Sequence, residues 1–297
     1  MDIFSRTTKP NFELINRAEG SLGEIVANGK YETAEIVILG FPSDEINKQN
    51  GNRAGAALAP DKIREEFYKF THFGINRKFF DLGNTIIHTD LAETYQVHQE
   101  IILQVLKDQK RLIILGGGND LSYLSGSAMS QAFGQEWLGV NISSHFSKSH
   151  LKLLNEKKLK SEYFYEGGFQ NQLNSVTHFK QLQNFGANLV SLEQLRSQEN
   201  INVRLRDLMR EQFIHHTSTI NTMFSFDLQA VRASDAPGTT VTSPIGLRSG
   251  EFLNLVEFAR NLVSSKIIEF TEVNPNFDID NTTAKLVAIA IHRICSR

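Results

Sequence analysis

The sequence predicts one α/β domain built on a mainly parallel sheet, and two patterns carry that expectation. Eight short apolar runs recur at wide intervals: AEIVILG (34 to 40), RKFFDLG (77 to 83), RLIILGGG (111 to 118), EWLGVNIS (136 to 143), SEYFYEGG (161 to 168), ANLVSL (187 to 192), TMFSFDL (222 to 228) and KIIEFTEV (266 to 273). Most are apolar on consecutive positions, as strands covered on both faces are. Between them lie segments with helical spacing, and no two-residue Asn-Gly turn joins neighbouring runs, so strand and helix alternate.

Each helix has its own signal. Pro60 and Asp61 suit a first turn ahead of Ile63, Phe67 and Phe70, because the missing N–H of a proline is harmless there. Val97, Ile101, Ile102, Val105 and Leu106 make one apolar stripe, and Phe252, Leu255, Val256, Ala259, Leu262 and Val263 make another. Residues 283 to 294 form a last, mostly apolar helix. The stretch GNRAGAALAP at 51 to 60 reads as a loop, LNEKKLKSE at 154 to 162 as a solvated helix or loop, and Trp137 as core at the start of a strand. No repeat, low-complexity tract or linker divides the chain, so residues 1 to 297 read as a single domain.

Composition narrows the partners. The 297 residues carry 31 Lys and Arg against 33 Asp and Glu, for a formal charge of -2. Such balance gives no electrostatic reason to expect nucleic acid or an anionic membrane, and leaves a small molecule or a protein as the expected partner. The only cysteine, Cys295, excludes an internal disulfide and a cysteine zinc cluster, and suits a reducing cytoplasm. No stretch approaches the ~20 apolar residues of a membrane span, and the N-terminus lacks the apolar core of a signal peptide.

In an open parallel sheet, ligands bind at the carboxyl ends of the strands. Unusual residues gather there: Gly116-Gly117-Gly118-Asn119-Asp120, Asn141 to Ser147, Gly167-Gly168-Phe169-Gln170, Asp227-Leu228-Gln229 and Glu272-Val273-Asn274-Pro275. The triple glycine invites comparison with a phosphate cradle, but the lysine of a P-loop and the spacing of a dinucleotide fingerprint are both missing. No nucleophile elbow G-x-S-x-G occurs, which leaves serine hydrolysis without support. His215 and His216 precede a strand; as neighbours in sequence they do not share a helix face, which speaks against joint ligation.

Read together, LGGGND, VNISSHFS, SFDLQAVRASDAPGTT and EVNPNFD resemble the four ordered signatures of the ureohydrolases, the family of arginase, agmatinase and formimidoylglutamase. GFPSDEINKQNGNRAGAALAPDKIR, the triple glycine and GGFQNQ most resemble formimidoylglutamase, and the likeness spans about 34 to 294. It implies a three-layer α/β/α sandwich with a parallel, roughly eight-stranded sheet, and assembly into homo-oligomers. It also implies hydrolysis of guanidino or formimino C–N bonds by two Mn(II) ions bridged by hydroxide. The family's six metal-ligand positions fall on Asn119, Ser143, His145, Ser147, Asp227 and Gln229, where the pattern asks for His, Asp, His, Asp, Asp and Asp. Only His145 and Asp227 keep a ligand-type side chain.

Charge decides what that departure means. The family's ligands would supply -4 to balance two divalent cations; the same positions here supply -1, leaving +3 uncompensated in a recessed site. Holding that charge away from water costs roughly several to tens of kcal/mol before relaxation, which neutral Ser, Asn and Gln oxygens do not return. Hard Mn(II) also prefers carboxylate and imidazole. The expectation is therefore no binuclear cluster and no bound cofactor.

Two functions follow. In the first, the protein is non-catalytic, and Asn119, Ser143, Ser147, Gln229 and Glu272 line a pocket for a small polar or cationic molecule, or the chain assembles with itself or an active relative. In the second, a metal-dependent hydrolase of linear amidines uses a single or atypical manganese site, with Asp227 or His145 handling the proton and Glu272 holding the leaving nitrogen's charge. Asp120, Asp235, Glu272 and His150 are the nearby groups able to substitute as ligands, although Asp120, following Asn119, is expected to point elsewhere. The bland reading of His145 is a neutral imidazole bonded to Ser143, Ser147 or Gln229. Asp227 is expected to find donors such as Asn119 or a serine, or to carry a raised pKa. Glu272 serves either as an anionic anchor or as a tie to a neighbouring loop. Asn274, Pro275 and the APGT stretch at 236 to 239 read as loop-shaping residues.

Overall fold

A computed structural model describes residues 2–9, 19–196, 207 and 220–296. Its centre is a nine-stranded sheet in the order β1-β3-β2-β4-β9-β8-β5-β6-β7. The eight apolar runs become β2 (Ile36–Phe41), β3 (Phe79–Thr85), β4 (Arg111–Gly116), β5 (Leu138–Ile142), β6 (Phe164–Phe169), β7 (Asn188–Ser191), β8 (Thr222–Asp227) and β9 (Ser265–Thr271), all mutually parallel. The ninth strand, β1 (Thr7–Thr8), pairs antiparallel with β3 at the edge. Two threonines outside any apolar run left no pattern to read, so the sequence did not predict it.

The consecutive apolar positions have the reason expected of them. On β2, Ile36 and Ile38 pack on one side while Val37, Leu39 and Phe41 pack on the other, all fully buried. One side is covered by α1 (Leu22–Ala27), α3 (Ala59–Phe67), α8 (Leu192–Arg196), α9 (Ser249–Asn261) and α10 (Thr282–Cys295). The other is covered by α4 (Leu91–Lys107), α5 (Leu121–Phe133), α6 (Lys148–Asn155) and α7 (Val176–Phe185). The result is a three-layer α/β/α sandwich. No helix among the described residues is long and apolar enough to cross a membrane.

Local departures have local causes. The 51 to 60 stretch is not loop throughout: a 3-10 turn, Ala56–Leu58, leads into α3, which takes Ala59 and Pro60 into its first turn and ends before Phe70. Helix α9 stops at Asn261, so the last two residues of its apolar stripe lie beyond it, and Val263 is 92% exposed. The 154 to 162 stretch is solvated only in part, because Leu154 and Leu159 turn into the core between its lysines. Trp137 is fully buried just before β5 and donates its indole N–H to the Lys158 carbonyl at 3.1 Å. His215 and His216 lie outside the described residues.

Candidate functional site

Chain order sends β2 and β3 to one side of β4, and β5, β6 and β7 to the far side of β8 and β9. The ends of β4, β9, β8 and β5 therefore surround the switch in direction where open α/β sheets bind ligands. A cavity of about 480 Å³ opens there, and Asn119, His145, Ser147, Asp227, Gln229 and Glu272 line it. Ser143 lies beneath, 1% exposed. Four of the five polar strand ends thus meet. The fifth, at β6, stays behind the wall, where the Gln170 amide donates to the Ile245 carbonyl at 2.9 Å.

The turn after β4 is built from close backbone approach. A Cβ on Gly117 would stand 1.7 Å from the Ser43 carbonyl oxygen. The Gly117 and Gly118 N–H groups donate to the carbonyls of Phe41 and Ser43, both at 3.0 Å. The next N–H, on Asn119, goes to Glu272 Oε1 at 2.7 Å. Three successive N–H groups are already committed, so this turn is not a phosphate cradle.

The side chains form a hydrogen-bonded relay that ends on Asp227. Ser147 Oγ donates to Asn119 Oδ1 at 2.9 Å, and Asn119 Nδ2 donates to Asp227 Oδ2 at 3.3 Å. Ser143 Oγ donates to the same Asp227 oxygen at 2.9 Å, while the Gln229 backbone N–H serves Oδ1 at 2.8 Å. Ser147 also caps α6, its hydroxyl accepting from the His150 N–H at 3.3 Å. Burial, reinforced by the neighbouring Glu272 charge, raises the Asp227 carboxyl well above the usual range against the pull of these donors. Both outcomes expected for Asp227 occur together.

Glu272 ties loops together. Its backbone has a positive φ of 67°, its N–H reaches the Gly117 carbonyl, and its carboxylate accepts from the Asn119 N–H and from Asn47 Nδ2 at 3.0 Å. Burial pushes its pKa up as well. Asn274 shapes the adjoining loop, donating to the Arg53 and Ala54 carbonyls.

His145 departs from its expected partners. Its Nδ1 pairs with Ser144 Oγ at 2.9 Å, and only its backbone N–H reaches Ser143, because consecutive loop residues place the Ser144 hydroxyl beside the ring. Burial lowers its pKa, in keeping with a neutral imidazole. The other candidate ligands are dispersed. Asp120 borders the cavity, but its carboxylate takes the Tyr95 hydroxyl. Asp235 is bound to Arg232 and the Ser249 N–H, away from the cavity. His150 is buried and stacked on Phe164 at 5.0 Å, its pKa pushed down to about 3 by burial. Among the described residues, no three His, Cys, Asp or Glu side chains are grouped so as to hold a metal ion.

Sequence reasoning missed part of the wall. Asn47 on α2 (Glu45–Gln49), with Asn50 and Asn52 after it, lines one side; Lys148, Asn174 and His178 line another. The available signal was the polar stretch SDEINKQN directly after the first apolar run, one more strand end of the same kind.

The arginase family model matches residues 34–296. A formimidoylglutamase of Staphylococcus haemolyticus is 28% identical over 271 residues, covering 86% of this chain and 84% of that protein. Among solved structures, a Trypanosoma cruzi formiminoglutamase with manganese superimposes at a TM-score of 0.83 and 24% identity, covering 93% of this chain and 97% of that one. The formimidoylglutamase of Bacillus subtilis gives a TM-score of 0.84 at 20% identity, covering 94% and 92%. The fold, the order of its strand-end motifs and these likenesses agree: the chain belongs to the arginase family.

Proposed function

We propose that this is a formimidoylglutamase-like member of the arginase family that builds no two-manganese centre and does not hydrolyse amidines. Its cavity would instead receive a small polar molecule, or the chain would act by assembling with itself or with an active relative. The observation that carries the reading is the relay Ser147–Asn119–Asp227–Ser143: four of the six family ligand positions satisfy one another with hydrogen bonds. A divalent ion would have to break that relay and would find one carboxylate and one imidazole among the six positions, which does not fit a pair of hard cations. Because the replacements are polar, the cavity keeps hydrogen-bonding surface instead of closing into apolar core. No residue is therefore assigned a catalytic step.

The test is metal content together with turnover. Protein equilibrated with Mn(II) and freed of excess ion is expected to retain far less than one manganese per chain, and to release neither ammonia nor formamide from formimino-glutamate. Near-stoichiometric manganese with turnover would establish the alternative, an amidine hydrolase with an unusual ligand set.

A further inference from the structure

A second cavity, of about 700 Å³, lies at the opposite end of the sheet, where the chain enters β2 and β3. Its charged lining is Lys30, Arg77 and Lys78 against Glu24 alone. Glu24 is occupied by the Gly20 N–H at 3.0 Å. Glu35 stands nearby and accepts from the Lys78 backbone N–H at 3.3 Å. The three cationic side chains make no ion pair or hydrogen bond with a described residue. Elsewhere the described cations are often paired with carboxylates at short range.

Half-buried Arg77 also lies close enough to Arg111 for its like charge to help burial lower the pKa of that guanidinium to about 10. Arg111 uses one N–H from each of its three nitrogens on the carbonyls of Ser265, Arg260 and Leu262, neutral acceptors that give its charge no carboxylate partner. Among the described residues Arg77 is thus a planar fork of donors without a bonded partner, held beside a second positive charge, and an anion relieves both conditions at once. Ile25 and Ile75 add apolar wall, and Asn76 lies at its edge with Asn28, whose amide nitrogen donates to the Glu24 carbonyl at 3.0 Å.

We infer that this groove is an anion site for a phosphoryl group, either free or carried on a small organic body, gripped by Arg77 with Lys30 and Lys78. It is separate from the strand-end cavity, and it does not depend on whether manganese binds there.

Calorimetric titration of the full chain with inorganic pyrophosphate and, separately, with AMP tests it. Saturable one-to-one binding of at least one probe is expected, weakened about tenfold or more in Arg77→Gln and Lys78→Gln. Arg77→Lys, which keeps the charge, should lose less, and Lys180→Gln, on α7 away from the groove, should lose nothing. Tighter AMP assigns the site to an organic phosphate, whereas AMP no better than pyrophosphate assigns it to the inorganic ion. Absence of saturable binding by both probes overturns the inference. So does an affinity unchanged by Arg77→Gln in a variant that melts like the parent.

Discussion

Asn119 donates its side-chain N–H to Asp227 Oδ2 at 3.3 Å and thereby joins the turn after β4 to the end of β8. Its amide oxygen receives the Ser147 hydroxyl, and its backbone N–H reaches Glu272. Where the family pattern places a metal-binding histidine, this chain has a neutral amide that donates and accepts in one plane. Replacing it by leucine, close in volume but without polar atoms, leaves Ser147 and Asp227 each short of a partner. Asn119→Leu is expected to lose about 1–3 kcal/mol of stability, the penalty for polar groups left unmatched. Urea unfolding measures this, and an unchanged midpoint would mean that water replaces the amide at no cost.

Placing the family pattern's ligand types at the four positions where this chain differs tests whether the scaffold can hold the two-metal centre that we propose it does not build. Asn119→His, Ser143→Asp, Ser147→Asp and Gln229→Asp, made together, return the charge that two divalent ions need. Ser147→Asp preserves a helix-capping side chain at the head of α6. The expected result is tight Mn(II) binding by the quadruple variant and weak binding by the parent, read by metal analysis after gel filtration. A folded quadruple variant that stays metal-free would show that the backbone has diverged along with the side chains.

The strands were legible because residues such as Ile113 and Ile114 meet apolar layers on both sides, and only a strand buried on both faces asks for so short a run of consecutive apolar residues between polar turns. The convergence of Asn119, Ser147, Asp227 and Glu272 was legible for the same reason, since parallel strands deliver their ends to one edge. What stayed hidden depends on backbone turns and distant pairings. Glu272 leaves its strand at a φ of 67°, a conformation no local pattern announced, and so reaches Asn47, 225 positions away in sequence. The ring of His145 found Ser144, its immediate neighbour, because loop geometry decides which hydroxyl lies in its plane.

Gly117 offers a steric test of the same turn. An alanine there would drive its Cβ to 1.7 Å from the Ser43 carbonyl oxygen, and backbone on both sides must move to admit it. Gly117→Ala is expected to cost about 1–3 kcal/mol or more, and to disturb Asn119 and Glu272 through the Glu272 N–H to Gly117 carbonyl bond. Thermal melting measures the loss; wild-type stability would mean that the turn is looser than its packing indicates.

Glu166 is a fully buried carboxyl beneath the 143 to 147 loop, bonded by Asn141 Nδ2 at 2.6 Å. Burial raises its pKa well above its ordinary value of 4.5. The folded state therefore holds the proton to higher pH than the unfolded chain does. Its contribution is complete below about 4.5 and is lost as pH rises toward the folded value. Glu166→Gln removes that loss, so the variant should gain on the parent as pH rises above about 4.5, by at most ~1.4 kcal/mol per pH unit. Parallel stability curves would show that the parent ionises Glu166 without cost.

His98 works in the opposite sense, at acid pH. Its ring is fully buried against Phe41 at 4.5 Å, with Nδ1 on Thr85 Oγ1 at 2.6 Å and Nε2 without a hydrogen-bond partner among the described residues. Burial pushes its pKa from 6.5 down to about 3. Between those two values the unfolded chain binds a proton that the folded chain refuses, so stability falls as pH drops from about 6.5 to about 3 and levels off below. His150, with the same shift, adds a second contribution of this kind. His98→Gln loses packing at every pH but carries no proton linkage. Its deficit relative to the parent should therefore shrink on acidification, by up to ~1.4 kcal/mol per pH unit. Urea titrations at pH 7, 6, 5 and 4 on both proteins decide it. A constant deficit across that range would mean that the His98 imidazole finds water or a carboxylate when it takes up its proton.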